Sequence, residues 1–163
     1  MNLKEYFNKK FYLNLSIILI IFFFDRLTKK IVIKLDQENF SQHIFSSEYF
    51  NISLIWNQGI AFGIMSFEDF TLYNILTSII ILITLLVFWM MIRSEDLEKY
   101  GFLMIFAGSI GNIYDRLFYN AVPDFIDFHI KNFHWFTFNV ADISICIGVV
   151  LLILNELKFK KII

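Results

Sequence analysis

Two aspartates, Asp124 and Asp142, stand where an ionised side chain is costly. Asp142 falls about one turn inside the apolar run that begins near Phe138. Asp124 sits in Val122-Pro123-Asp124-Phe125, among apolar neighbours that would hold it at a membrane interface. A carboxylate at the centre of a membrane helix costs on the order of 2.5–3.5 kcal/mol even on lenient insertion scales, so each one needs a partner or a function. The connection between the two is short enough for the carboxyls to meet. Two carboxyls at close range would share one proton, because both cannot ionise cheaply. Such a pair has a base for a water and an acid for a carbonyl oxygen, the equipment for hydrolysis.

The other polar residues of the apolar stretches gather nearby. Asn139, Asp142 and Cys146 share one helical face, and Gly108, Gly111, Asn112 and Asp115, at i, i+3, i+4 and i+7, share another. Those faces must look at protein or water. Bland readings stand beside the chemical one. Asp142 alone reads equally as a buried, hydrogen-bonded aspartate. Asp115 beside Arg116 reads as a structural ion pair, and Asp25 with Lys29 as an i, i+4 helix pair. Ala107, Gly108 and Gly111 read as small residues that let helices approach.

Other chemistries find little support. His43, His129 and His134 are too scattered to suggest a metal, and Cys146 is alone, so no metal site and no intrachain disulfide is expected. Ser144 has no evident base for nucleophilic catalysis. Asn51-Ile52-Ser53 matches a glycosylation acceptor, a pattern common by chance.

The elements that position these residues follow from composition. The chain has 163 residues, 58% of them hydrophobic and 19% aromatic, with one proline and six glycines. A bilayer core needs about 20 consecutive apolar residues per helix. Four stretches qualify, over about 11–33, 71–92, 100–118 and 138–157, and the rest leaves no room for a second domain. The first follows Lys4, Lys9 and Lys10 like a secretory signal, but Asp25-Arg26-Leu27-Thr28-Lys29 follows it in place of a cleavage site, so it is read as uncleaved. Basic residues form no patch interleaved with aromatics, so no nucleic acid is expected.

Lys4, Lys9, Lys10, Arg93, Lys99, Lys158, Lys160 and Lys161 fall on one side of such a bundle. Arg26, Lys29, Lys30, Lys34, Arg116 and Lys131 fall on the other, and the imbalance grows if Arg26 and Arg116 are spoken for by neighbouring carboxylates within the helices. The majority side is cytoplasmic, which puts both termini there. Segments 34–70 and 119–137 are then extracytoplasmic. In the first, Phe50, Ile52, Leu54 and Trp56 alternate with polar residues as in a half-buried strand, Gly59 allows a turn, and Ile60, Phe62 and Ile64 alternate again. The second, rich in Phe and Trp, reads as a segment lying among headgroups. The expected fold is an all-α integral membrane protein with four transmembrane helices and a small extracytoplasmic β-sheet between helices one and two.

Five motifs, in order over nearly the whole length, resemble the bacterial lipoprotein signal peptidase family, also called signal peptidase II. They are Asp25-Arg26-Leu27-Thr28-Lys29, Asn57-Gln58-Gly59-Ile60-Ala61-Phe62, Gly111-Asn112-Ile113-Tyr114-Asp115-Arg116, Val122-Pro123-Asp124-Phe125 and Phe138-Asn139-Val140-Ala141-Asp142. The resemblance implies that Asp124 and Asp142 are the catalytic pair. It implies supporting or substrate-binding roles for Asn57, Asn112, Arg116 and Asn139, and structural roles for Asp25, Lys29 and Asp115. It further implies an aspartyl endopeptidase without cofactor in the bacterial cytoplasmic (inner) membrane. The partners implied are lipid-modified prolipoproteins and membrane lipids, and a monomer is expected. Pro123 replaces a usual aliphatic residue, and Asn120 stands in a turn that often carries glycine.

Two rivals make different demands. A small proton-coupled transporter or channel subunit would continue polar residues toward the cytoplasm, yet Val149 to Leu154 is wholly apolar. A scaffold without catalysis would tolerate neutralisation of Asp124. The segments Phe50 to Phe67 and Ala121 to Trp135 are expected to cover the pair as a mobile lid, since a membrane-borne substrate must enter sideways.

Overall fold

The computed structural model describes residues 9–38, 44–59, 70–131 and 133–160. Its four long helices are α1 (Lys9–Glu38), α2 (Phe70–Arg93), α3 (Asp96–Tyr119) and α4 (Val140–Lys160). Between α1 and α2 lie strands β1 (Phe45–Ser46) and β2 (Phe50–Asn57), and between α3 and α4 lie β3 (Val122–Ile130) and β4 (Phe133–Phe138).

Three segments, Lys9–Glu38, Phe70–Arg93 and Val140–Lys158, are long and apolar enough to cross a membrane. Their outward faces are greasy: Leu82 on α2 is 65% exposed and Phe23 on α1 is 60% exposed. The expected third span, α3, is not among them by composition. It carries Asp96, Glu98, Lys99, Asp115 and Arg116, and it packs on the other three helices, burying Phe102, Leu103, Ala107 and Gly108. Its ends are locally specified. Asp96 and Glu98 face the positive end of the helix dipole. Asn120 closes the helix in the left-handed region at φ 53°, the conformation a C-terminal cap requires.

Close approach holds α3 and α4 together. A Cβ on Gly101 would sit 2.7 Å from Leu152 Cδ2, and one on Gly108 would run into the carbonyl oxygen of Ala141. The small residues therefore let the backbones nearly touch, as membrane helices do.

The sheet departs from expectation. It has four antiparallel strands in the order β1-β2-β3-β4, so half of it comes from the segment between α3 and α4 and not from the one between α1 and α2. The aromatic residues of the expected headgroup segment, among them Phe125, Phe128, Phe133 and Trp135, lie on strands β3 and β4. The two expected lid segments are thus joined by hydrogen-bonded strands, with Phe50 opposite Phe128 and Asn57 opposite Val122. The second alternating run, Ile60, Phe62 and Ile64, lies outside the described residues. One extra residue enters β2 between Ile52 and Ile55, directly beside the partner position Asp124. A bulge there bends the strand and re-aims its side chains.

Candidate active site

Asp124 enters the site from β3 and Asp142 from the first turn of α4. Asn139, fully buried just before α4, lies between them. Its Nδ2 donates to Asp124 Oδ1 at 2.6 Å and to Asn112 Oδ1 at 3.2 Å. Its backbone N–H donates to Asp142 Oδ2 at 3.1 Å, while Asp142 N–H donates back to Asn139 Oδ1 at 3.0 Å. This reciprocal pair is a capping box in which the acidic member is the candidate catalytic carboxylate. Asn57 Nδ2 donates to Asp124 Oδ2 at 2.9 Å, and Asn112 Nδ2 to Asp142 Oδ1 at 2.8 Å. Three asparagines therefore fix both carboxyls.

Both aspartates line one cavity of about 300 Å³ together with Ile80, Val122, Phe138 and Ile145. Burial first, and then the nearby Asp142 carboxylate, push the Asp124 carboxyl up to about 7. Hydrogen bonds from Asn57 and Asn139 and the charge of Lys29 pull the other way. A carboxyl that keeps its proton toward neutrality beside a second carboxyl is what acid–base chemistry needs.

Beneath the site lies an ionic network. Lys29, 2% exposed, reaches Asp25 Oδ1 at 2.9 Å and Asp115 Oδ2 at 2.7 Å, and donates to Asn112 Oδ1 at 3.0 Å. Arg26 forks onto Asp115 at 2.5 and 2.7 Å and onto Asp25 at 2.6 Å, with Tyr114 against its guanidinium at 4.7 Å. Asp25 Oδ1 also accepts the backbone N–H of Ala141 at 3.1 Å, satisfying a donor of the first turn of α4. Gly111 makes room, since a Cβ there would lie 2.7 Å from Asp25 Oδ2. The chain of contacts runs from Asp25 and Asp115 through Lys29 and Asn112 to Asp142.

The i, i+4 pair of Asp25 and Lys29 forms as expected, but Asp115 is bonded to Arg26 and Lys29 and not to Arg116. Adjacent residues on a helix point in different directions. Arg116 instead donates from Nη2 to the carbonyl oxygen of Gly59, lines the cavity, and stacks over Tyr73 at 5.7 Å. Its Nη1 is buried with no hydrogen-bond partner among the described residues. Arg26, not singled out as a site residue, is the hub joining α1 to α3. Its adjacency to Asp25 was the available signal. The histidines also differ from expectation: His129 and His134 are opposite one another across β3 and β4. His43 lies outside the described residues.

Comparison with known proteins places the chain in a family. The signal peptidase (SPase) II family profile matches residues 17–158. The chain is 50% identical over 153 residues to a lipoprotein signal peptidase of Pelagibacter ubique (strain HTCC1062), covering 94% of this chain and 92% of that protein. It is 40% identical over 126 residues to the lipoprotein signal peptidase of Francisella tularensis subsp. novicida (strain U112), covering 75% and 78%. A bacterial membrane enzyme solved by the in meso method at 2.3 Å resolution superposes with a TM-score of 0.71 at 30% identity, over 89% of this chain and 87% of that one. With its motifs in order and its profile match spanning both aspartates, the chain belongs to the signal peptidase II family.

Proposed function

We propose that this chain is an aspartyl endopeptidase that removes signal peptides from diacylglyceryl-modified prolipoproteins. The observation that carries the reading is Asn139, whose side chain and backbone hold one oxygen each of Asp124 and Asp142 at the same cavity. With one proton between them, the ionised aspartate takes a proton from a water, whose oxygen bonds to the scissile carbonyl carbon. The protonated aspartate gives its proton to the carbonyl oxygen. When the tetrahedral intermediate collapses, the C–N bond breaks, the proton taken from water passes to the leaving amine, and one hydroxyl of the intermediate returns its proton to the other aspartate as the carbonyl re-forms, which restores the single proton of the pair. These steps require neither metal nor organic cofactor. Asn57 and Asn112 orient the carboxyls, and Arg116, which lines the cavity, supplies a donor for the substrate backbone.

The membrane arrangement completes the proposal. Four helices cross the bacterial cytoplasmic (inner) membrane, α3 being sheltered by the other three, with both termini cytoplasmic and the sheet on the outer surface. Substrate lipid stays in the bilayer beside a working monomer. The test is release of a signal peptide when purified protein is mixed with a lipidated prolipoprotein. Asp124→Asn and Asp142→Asn should each abolish cleavage in a folded, membrane-inserted protein, because an amide neither takes nor shares the proton. Near-normal turnover by either variant would sink the assignment.

A further inference from the structure

A second cluster of ligand-type side chains lies at the far end of the sheet. Asp127 and His129 project from β3, two residues apart and so on one face, and His134 faces them from β4. The hairpin sets this up: His129 pairs with His134 and Ile130 with Phe133, and Lys131 takes a positive φ of 55° as tight hairpin turns require. Asp127 Oδ2 lies 2.8 Å from His134 Nδ1 and 3.9 Å from His129 Nδ1, and one donor atom from each residue falls within 4.8 Å of the others. The two imidazoles stack with centroids 4.9 Å apart.

The second observation is an orphan. Asp127 is 6% exposed, yet its Oδ1 is buried with no hydrogen-bond partner among the described residues. Leaving a buried acceptor without a partner is costly, and more so when it is charged. Its other oxygen accepts from Asn51 Nδ2 at 3.3 Å, and Asn51 is itself held by Ser46 Oγ at 2.8 Å. Asn51 Nδ2 also lies 3.4 Å from His129 Nδ1, an approach that wants a lone pair on that nitrogen. Asp127 thus meets both imidazole nitrogens through Oδ2, is steadied from β2, and keeps Oδ1 for a further partner.

We propose that Asp127, His129 and His134 form a binding site for a divalent zinc-type cation, separate from the aspartate pair. Two imidazoles and one carboxylate suit zinc, whereas calcium and magnesium want oxygen alone. Tetrahedral zinc with bonds of about 2.0–2.1 Å holds its ligands about 3.3 Å apart, a value the 2.8 and 3.9 Å spacings bracket, and the stacked imidazoles turn out of parallel to aim at one ion. The His134 side chain is 55% exposed, which gives the ion its entry path and leaves the fourth position to water. Bound there, the ion ties β4 to β3 three residues from Asp124 and stiffens the strand that presents it.

The test uses the full chain, purified in detergent and stripped with chelator, then dialysed against zinc. Wild type should retain one zinc per chain. X-ray absorption should show two imidazoles with nitrogen or oxygen neighbours at about 2.0–2.1 Å. His134→Gln and Asp127→Asn should each weaken binding at least tenfold and cancel the zinc-dependent rise in Tm. His134 is half exposed, so its variant keeps the test valid if Asp127→Asn fails to fold. No retained zinc, equal retention by wild type and His134→Gln, or an absorption spectrum without imidazole would each overturn the site.

Discussion

Asn139 and Asp142 hold each other by two reciprocal hydrogen bonds at the start of α4, 3.1 and 3.0 Å long, so one local motif both begins the helix and aims a candidate catalytic carboxyl. The side-chain amide of Asn139 then reaches across to Asp124. Asn139→Ala removes the cap and the bridge together. Loss of the cap should cost about 1 kcal/mol of stability. Turnover should fall on the order of 10²-fold, because catalytic groups displaced by about 1 Å lose that much. Thermal unfolding and a cleavage assay on the folded fraction separate the two effects, and unchanged turnover would remove Asn139 from the site.

The position of Asp124 sets an expectation for pH. Its carboxyl is raised from 3.8 to about 7, so between those values the folded protein holds a proton that the unfolded chain has lost. The contribution of Asp124 to stability therefore declines as pH rises through that window. Activity needs the same proton, so kcat/KM should decline on an alkaline limb near pH 7, reported as a property of the pair. Asn57 donates to the ionised form, and Asn57→Leu should move the limb upward. A limb that stays put or moves down in that variant would contradict the assigned donor.

Asp115 is expected to act through stability. It is fully buried and carries both Arg26 and Lys29. Asp115→Asn leaves the buried Lys29 and the part-buried Arg26 underpaired, and breaking a buried pair costs about 3–5 kcal/mol. Yield and Tm should drop, while turnover per folded molecule stays within a factor of about ten, or roughly 1.4 kcal/mol in barrier. A stable but inactive variant would move Asp115 into the catalytic set.

What was legible in the sequence is what composition and helical spacing encode. The long apolar run of α2 needed only its length, and the face joining Gly108, Gly111, Asn112 and Asp115 follows from 3.6-residue periodicity. Partner choice was harder. Chain adjacency pairs Asp115 with Arg116, whereas the helix turns that neighbour away and brings Arg26 and Lys29 of α1 to Asp115 instead. Arg116 binds a backbone carbonyl, which no residue pattern announces. The β3 and β4 hairpin escaped notice because its aromatics suit a membrane interface equally well. His129 and His134 become neighbours only once the strand register is known.

Cleavage should depend on the substrate's lipid. Asp142 and Asn112 sit on helices whose outward surfaces are apolar, and Ile80, Val122, Phe138 and Ile145 line the cavity beside them. Few charged groups are there to grip an extended polar peptide. A diacylglyceryl group contributes about 0.8 kcal/mol per buried methylene to membrane partitioning, which concentrates the scissile bond at the depth of the dyad. Without it the cysteine region would sit at varied depths, and misplacement of about 1 Å already costs on the order of 10² in rate. An unlipidated precursor of the same peptide sequence should therefore be cut at least 10²-fold more slowly. The measurement is a side-by-side assay of the two precursors in one bilayer preparation. Equal rates would reject this account of specificity and leave the aspartyl chemistry standing, because the dyad acts on the peptide bond and the lipid only brings that bond to it.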